Sequence, residues 1–234
     1  MRDRIDRLWL QDVETFAADN QDAADQRKIE YGTLLTRGQL ASIRNGLGEN
    51  GAKPAPEDTD IYRHQDVRQL DFGSSRHPSV AFRLAHGTHV MDLAAGNSVD
   101  DVGANARIFA VQLPPAVTED TSGVSFDHYV HDAMVQIMGW VEQLGEQLGS
   151  NIPLVINFSY GFTAGPKDGS LWLEREIDRL VNARNKRGAP TAVVLPAGNS
   201  FTSRTTAQIK ISNQEPQSID WFIPPDDETS NFLE

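Results

Sequence analysis

The chain has 234 residues, of which 39% are hydrophobic and 23% charged, enough for one large domain or two small ones around a buried core. With 21 Lys and Arg against 33 Asp and Glu, the net charge is -12, a surface that repels phosphate backbones and argues against nucleic acid as a partner. Cysteine is absent, which removes disulfides, thiolate nucleophiles and Cys-ligated zinc together. No apolar run approaches the ~20 residues of a membrane span, so no membrane partner is expected. Repeats and low-complexity tracts are absent too. Residues 1–7 hold no apolar signal core, and the compartment is left open.

Residues 1–85 are loosely patterned. Leu8-Trp9-Leu10 is a short apolar run suited to the end of a strand. From Thr36 a short helix is expected, with Leu40, Ile43 and Leu47 on one face. Residues 48–79 read as an exposed loop or insertion, because Gly48, Gly51, Pro54 and Pro56 stand among polar residues.

The pattern sharpens from residue 86. A mostly apolar run at 106–111 ends before Pro114-Pro115. A long helix over 125–148 follows, opened by Ser125 as N-cap. Its Phe126, Val130, Ala133, Ile137, Val141, Leu144 and Leu148 recur at three- and four-residue steps. Residues 153–158 have the pattern of a buried strand. Ser170 is placed to cap a second helix, with Leu173, Ile177, Leu180, Val181 and Arg184 in phase. Lys186-Arg187-Gly188 gives that helix a cationic last turn and a glycine stop. Residues 191–195 form a further buried strand. Ile209 and Ile211, then Ile219, Trp221 and Ile223, alternate with polar residues and predict a short antiparallel β region near the C-terminus.

Strand, helix, strand, helix, strand predicts an α/β fold: a parallel sheet flanked by helices, with all three strands in one sheet. Ligands bind at the carboxyl ends of such strands. The rule selects the turns after Val111, after Phe158 and after Leu195.

Three constellations could carry chemistry. His86-Gly87-Thr88-His89-Val90 opens a short helical stretch stopped by Gly96-Asn97. Its histidines read as a metal pair, as catalytic groups or as satisfied structural side chains. Ala197-Gly198-Asn199-Ser200 puts an Asn amide at a strand exit. That amide either stabilises an oxyanion or bonds its own turn. Ser159-Tyr160-Gly161 is either a plain turn or an edge that pairs with an extended peptide. His128 and His131 read as surface residues.

In order and spacing, His86-Gly87-Thr88-His89-Val90, then Asn157-Phe158-Ser159-Tyr160-Gly161, then Ala197-Gly198-Asn199-Ser200 resemble the subtilisin-like serine peptidases, or subtilases. Residues 102–111 are similar to the family's strand that returns after the histidine helix. The likeness covers residues 86–200. It implies a three-layer α/β/α fold, present here as an incomplete single domain over residues 1–234. It implies a serine-type endopeptidase, a hydrolase that cleaves peptide bonds by acyl transfer. His86 matches the general base and acid, and Asn199 the side-chain donor of the oxyanion hole. Ser159, Tyr160 and Gly161 match the segment that pairs with substrate backbone. His89 matches a non-catalytic histidine. The implied partner is a peptide or protein substrate. No organic cofactor is implied; calcium stabilises many members, but Asp100-Asp101 and Asp226-Asp227 are too generic to nominate as its ligands.

Two triad elements find no match. Asp58 does not follow a buried strand, and Asp12 is followed by Val13-Glu14 instead of a small residue and glycine. The family's nucleophile motif, G-T-S-x-A-x-P, is absent: Ser122, Ser203 and Ser230 each follow Thr but lack its flanking residues. The expectation is an internal piece of a peptidase domain, inactive alone and exposing apolar sheet surface through which it associates. The alternative is a subtilase-fold module that binds peptides without cleaving them.

Overall fold

The computed structural model describes residues 4–11, 31–46, 85–96, 103, 105–114, 117, 126–161, 166, 168–199, 209–210, 216 and 218–223. Strand β1 (Ile5–Leu10) contains the Leu8-Trp9-Leu10 run at its end. It pairs antiparallel with β2 (Thr33–Thr36), from Arg7 opposite Thr36 to Leu10 opposite Thr33. On its other side it pairs parallel with β3 (Ile108–Gln112), from Ile5 opposite Ile108 to Leu10 opposite Gln112. Helix α1 (Arg37–Gly46) starts directly after β2. Thr36 and Gln39 cap it reciprocally: Thr36 N–H donates to Gln39 Oε1 at 2.9 Å, and Gln39 N–H to Thr36 Oγ1 at 3.4 Å.

Helix α2 (Ala85–Ala95) carries the His-Gly-Thr-His motif. Helix α3 (Asp127–Leu148) buries Val130, Ala133 and Val141 of the predicted face together with Met134, Met138 and Trp140, whereas Leu148, expected on that face, is 63% exposed at the helix end. It stops at Gly149, whose N–H bonds Glu146 O while Ser150 N–H bonds Gly145 O. Phe126 stands at its N-cap position without a side-chain cap; the predicted Ser125 cap lies outside the described residues. Strand β4 (Leu154–Asn157), helix α4 (Trp172–Lys186) and strand β5 (Thr191–Val194) complete the elements of the described residues. β4 and β5 are parallel, from Leu154 opposite Thr191 to Asn157 opposite Val194.

The chain is therefore α/β, but its strands divide into a mixed sheet, β2-β1-β3, and a parallel pair, β4-β5. The expectation of one sheet holding 106–111, 153–158 and 191–195 is corrected: β3 pairs with β1 and not with β4. Local pattern marks a segment as a strand but does not choose its neighbour. Helix α3 joins the two sheets. Its Trp140 stacks on Phe109 of β3 at 6.0 Å, with the Arg7 guanidinium 5.5 Å from the Trp140 ring centre. Its other side packs Val130, Met134, Met138 and Val141 into one cluster with Leu154, Ile156 and Leu173. Burying each such side chain contributes about 1.5–3 kcal/mol.

Two further expectations are corrected. Strands 153–158 and 191–195 are buried on one face only. Leu154 and Ile156 point into the cluster, while Val155 is 69% and Val194 50% exposed. The helices α3 and α4 cover one side, and no described element covers the other. Near the C-terminus no described residue of 209–223 is in a strand, and Ile209, Ile219, Trp221 and Ile223 are exposed. Alternation makes a segment able to pair; a strand forms only where a partner edge supplies hydrogen bonds. Ile211 and the insertion at 48–79 lie outside the described residues.

Candidate functional site

β4 and β5 end together. Their ladder continues one step beyond Asn157, where Phe158 N–H donates to Val194 O at 2.9 Å. The two chains then turn toward each other. A Cβ built on Gly161 would lie 3.7 Å from Gly198 Cα and 4.0 Å from Pro196 Cγ. Gly198 has φ +90, a left-handed backbone that L side chains rarely adopt. That conformation delivers Asn199, which is exposed. The structure thus brings Ser159-Tyr160-Gly161 and Pro196-Ala197-Gly198-Asn199 to one place, at the carboxyl ends of two parallel strands.

Side chains fix the first of these turns from both sides. Asn157 Nδ2 donates to Ser159 Oγ at 2.8 Å. Tyr160 turns inward: its ring stacks on Phe126 at 4.6 Å and its hydroxyl donates to Val117 O at 3.2 Å. Phe126 is fully buried and also touches Phe158, with 5.4 Å between ring centres. Ser159 and Gly161, on either side of Tyr160, remain exposed.

His86 stands in the first turn of α2 and is exposed, as is His89. Arg4, just before β1, holds the far end of that helix. Its guanidinium donates to Ala95 O, and to Gly103 O at 3.2 Å. A cation at the last turn also complements the helix dipole. Among the described residues no hydrogen bond or ion pair joins His86 to Asn199 or to the 159–161 turn. Two of the three predicted constellations meet at the β4-β5 exit. Among the described residues no group of three or more His, Asp or Glu could hold a metal ion.

Two polar clusters were not singled out from sequence. At the carboxyl end of β1, buried Gln11 donates from Nε2 to Tyr129 O at 3.0 Å and to the Tyr31 hydroxyl at 3.3 Å. The Tyr31 hydroxyl donates to Asp132 Oδ2 at 3.0 Å. Burial first, then the hydrogen bond to Asp132 and its charge, pushes the Tyr31 hydroxyl well above its ordinary range. Asp132 also meets His131, with Nδ1 and Oδ1 3.3 Å apart. His131 is half-buried beside Trp172 of α4, at 5.3 Å between rings; only His128 is the exposed residue expected.

The second cluster lies at the opposite, amino ends of β4 and β5. Arg184 is only 4% exposed. Its Nε donates to Thr191 Oγ1 at 2.9 Å and its Nη2 to Ile152 O at 3.0 Å. Glu142 Oε1 of α3 stands 3.7 Å from its Nη1. Burial lowers the Arg184 pKa and the Glu142 charge opposes that shift. Asn185 adds two bonds to the same strand end, accepting from Thr191 N–H at 2.7 Å and donating to Thr191 O at 3.4 Å. The signal was present: Arg184 falls in phase with the apolar face of α4, and a cation on that face must find acceptors.

Comparison with known proteins finds no matching family model, no matching curated protein and no matching solved structure.

Proposed function

We propose that this chain is part of a subtilisin-like serine endopeptidase, supplying the histidine, the oxyanion asparagine and the peptide-pairing segment. The observation that carries the reading is the meeting of the 159–161 and 196–199 turns at the carboxyl ends of paired parallel strands. Peptide pairing needs an exposed backbone segment, and oxyanion stabilisation needs an amide donor beside it. Both are supplied here by residues about 40 positions apart. His86 stands exposed in the first turn of α2, accessible to a serine hydroxyl brought to it.

In this mechanism His86 takes the proton of a serine hydroxyl and returns it to the leaving amine. The Asn199 amide donates to the tetrahedral oxyanion. Substrate lies extended along Ser159-Tyr160-Gly161. Neither the serine motif nor the aspartate motif has a match in the sequence, so the chain alone binds peptide without cleaving it.

The test combines a fluorogenic peptide assay, a serine-directed fluorophosphonate probe and peptide binding by fluorescence polarisation. The expected result is binding without turnover and without stoichiometric serine labelling. Failure to bind any peptide overturns the reading, and robust labelling of one serine overturns the predicted inactivity. The coding sequence on either side separates enzyme from binding module: an upstream D-[ST]-G after an apolar strand and a downstream G-T-S mark the enzyme. In a protein carrying all three triad elements, His86→Ala abolishes turnover. Asn199→Ala costs about 10²–10³ in rate, the size of this loss in subtilisin.

A further inference from the structure

From the geometry of the β4 exit we infer that Tyr160 is a positioning residue, whose hydroxyl bond to Val117 O sets the backbone of Ser159 and Gly161 for peptide pairing. The inference rests on the peptide-binding reading above and concerns what gives that segment its shape. In an extended segment alternate residues face opposite sides. If the middle residue is held, the presentation of both neighbours is held with it. Tyr160 is held by its ring, which stacks on fully buried Phe126 and lies beside Phe158, and by its hydroxyl, which reaches Val117 O at 3.2 Å. Val117 is itself buried, and its N–H bonds Pro114 O at 3.0 Å, which holds the acceptor in place. On the other side Asn157 Nδ2 holds Ser159 Oγ at 2.8 Å. Ser159 and Gly161 are exposed between these anchors.

A free exit segment would have to be ordered by the peptide, and that entropy would subtract from affinity. Here the ordering is done in advance. The ring alone would fill the space beside Phe126; the hydroxyl adds direction, because a hydrogen bond fixes the rotation that stacking leaves free. Tyr160→Phe therefore keeps the packing and removes the directional anchor.

The experiment uses the full chain and a fluorescein-tagged Ala-Ala-Val-Phe amide as probe. Tyr160→Phe is expected to weaken binding about three- to tenfold, the scale of one hydrogen bond. Its melting temperature stays within a few degrees, and amide exchange accelerates at residues 159–161 while α3 and β4 keep their protection. Tyr160→Leu, which also removes the stack, weakens binding further. Unchanged affinity, or unchanged exchange at 159–161, in Tyr160→Phe overturns the inference. So does a lower melting temperature with full affinity in the folded fraction, since that is a purely structural role. If the wild-type chain binds no peptide, the functional reading fails instead, and the exchange measurement still decides whether the hydroxyl orders the segment.

Discussion

Arg184 is the residue on which the β4-β5 end of the molecule turns. It bonds Thr191 and Ile152 and faces Glu142, linking α4 to the start of β5, the approach to β4 and helix α3. Arg184→Ala leaves Ile152 O and Glu142 without that cation and opens space in a buried position. The expected cost is about 2–4 kcal/mol, read by urea denaturation. A loss below about 1 kcal/mol would mean that water replaces the guanidinium without penalty. Tyr31 makes a pH-dependent contribution. Its pKa is raised on folding from the ordinary 10.0, chiefly by burial and then by Asp132. The folded state therefore holds the phenolic proton more tightly than the unfolded state. The stabilisation is full below about pH 10 and declines as the pH rises toward the higher folded pKa. Tyr31→Phe should flatten the alkaline limb of the stability profile, whereas an identical limb in the variant would assign it to other groups.

Among the elements, α4 shows how closely rival caps can lie in sequence. Ser170, the predicted N-cap, instead donates its N–H to Asp168 Oδ1 at 2.9 Å. That bonding with Ser170 lowers the Asp168 pKa. The helix begins one residue later, with Leu171 at the cap position and its N–H donating to Glu174 Oε2 at 3.0 Å. A carboxylate in the first turn also meets the positive end of the helix dipole. Glu174→Ala should thus cost about 0.5–2 kcal/mol, the usual range for a lost cap. Ser170→Ala should cost less than Glu174→Ala. Thermal unfolding of the two variants gives the order, and the reverse order would restore Ser170 as the cap. The far end of α4 follows the sequence pattern, with Arg184 and Lys186 in the last turn and Gly188 N–H returning to Asn185 O at 3.0 Å.

On the scale of the whole molecule, the β4-β5 pair has one face packed on α3 and α4 and one face without a described cover. Val155 and Val194 stand out from that open face. Apolar sheet surface of this kind favours association, while the net charge of -12 opposes it. Added salt screens the charge and leaves the apolar attraction. Sedimentation should accordingly show association that grows with protein concentration and with salt. Val155→Lys combined with Val194→Lys should suppress it without lowering the melting temperature, because neither side chain contributes to the packed cluster. Association that persists in the double variant would place the contact elsewhere.

What the sequence determined was local. The 3.6-residue period of α3, the phase of α4, its cationic end and the apolar runs of β3, β4 and β5 all follow from neighbours within a few residues. The shared edge formed by the exits of β4 and β5 was likewise readable, since parallel strands joined by a helix end on the same side. Only the tertiary structure decided the long-range choices. It paired β3 with β1, covered one face of β4-β5, left 219–223 out of any strand, and brought Gly161 against Gly198. It also chose the partners of Arg184, namely Thr191, Ile152 O and Glu142, which its phase on α4 does not specify. The division is physical: periodicity and capping depend on bonds within one or two turns. Strand pairing, burial and the meeting of two turns depend on which distant surfaces are free to meet, and no single segment carries that information.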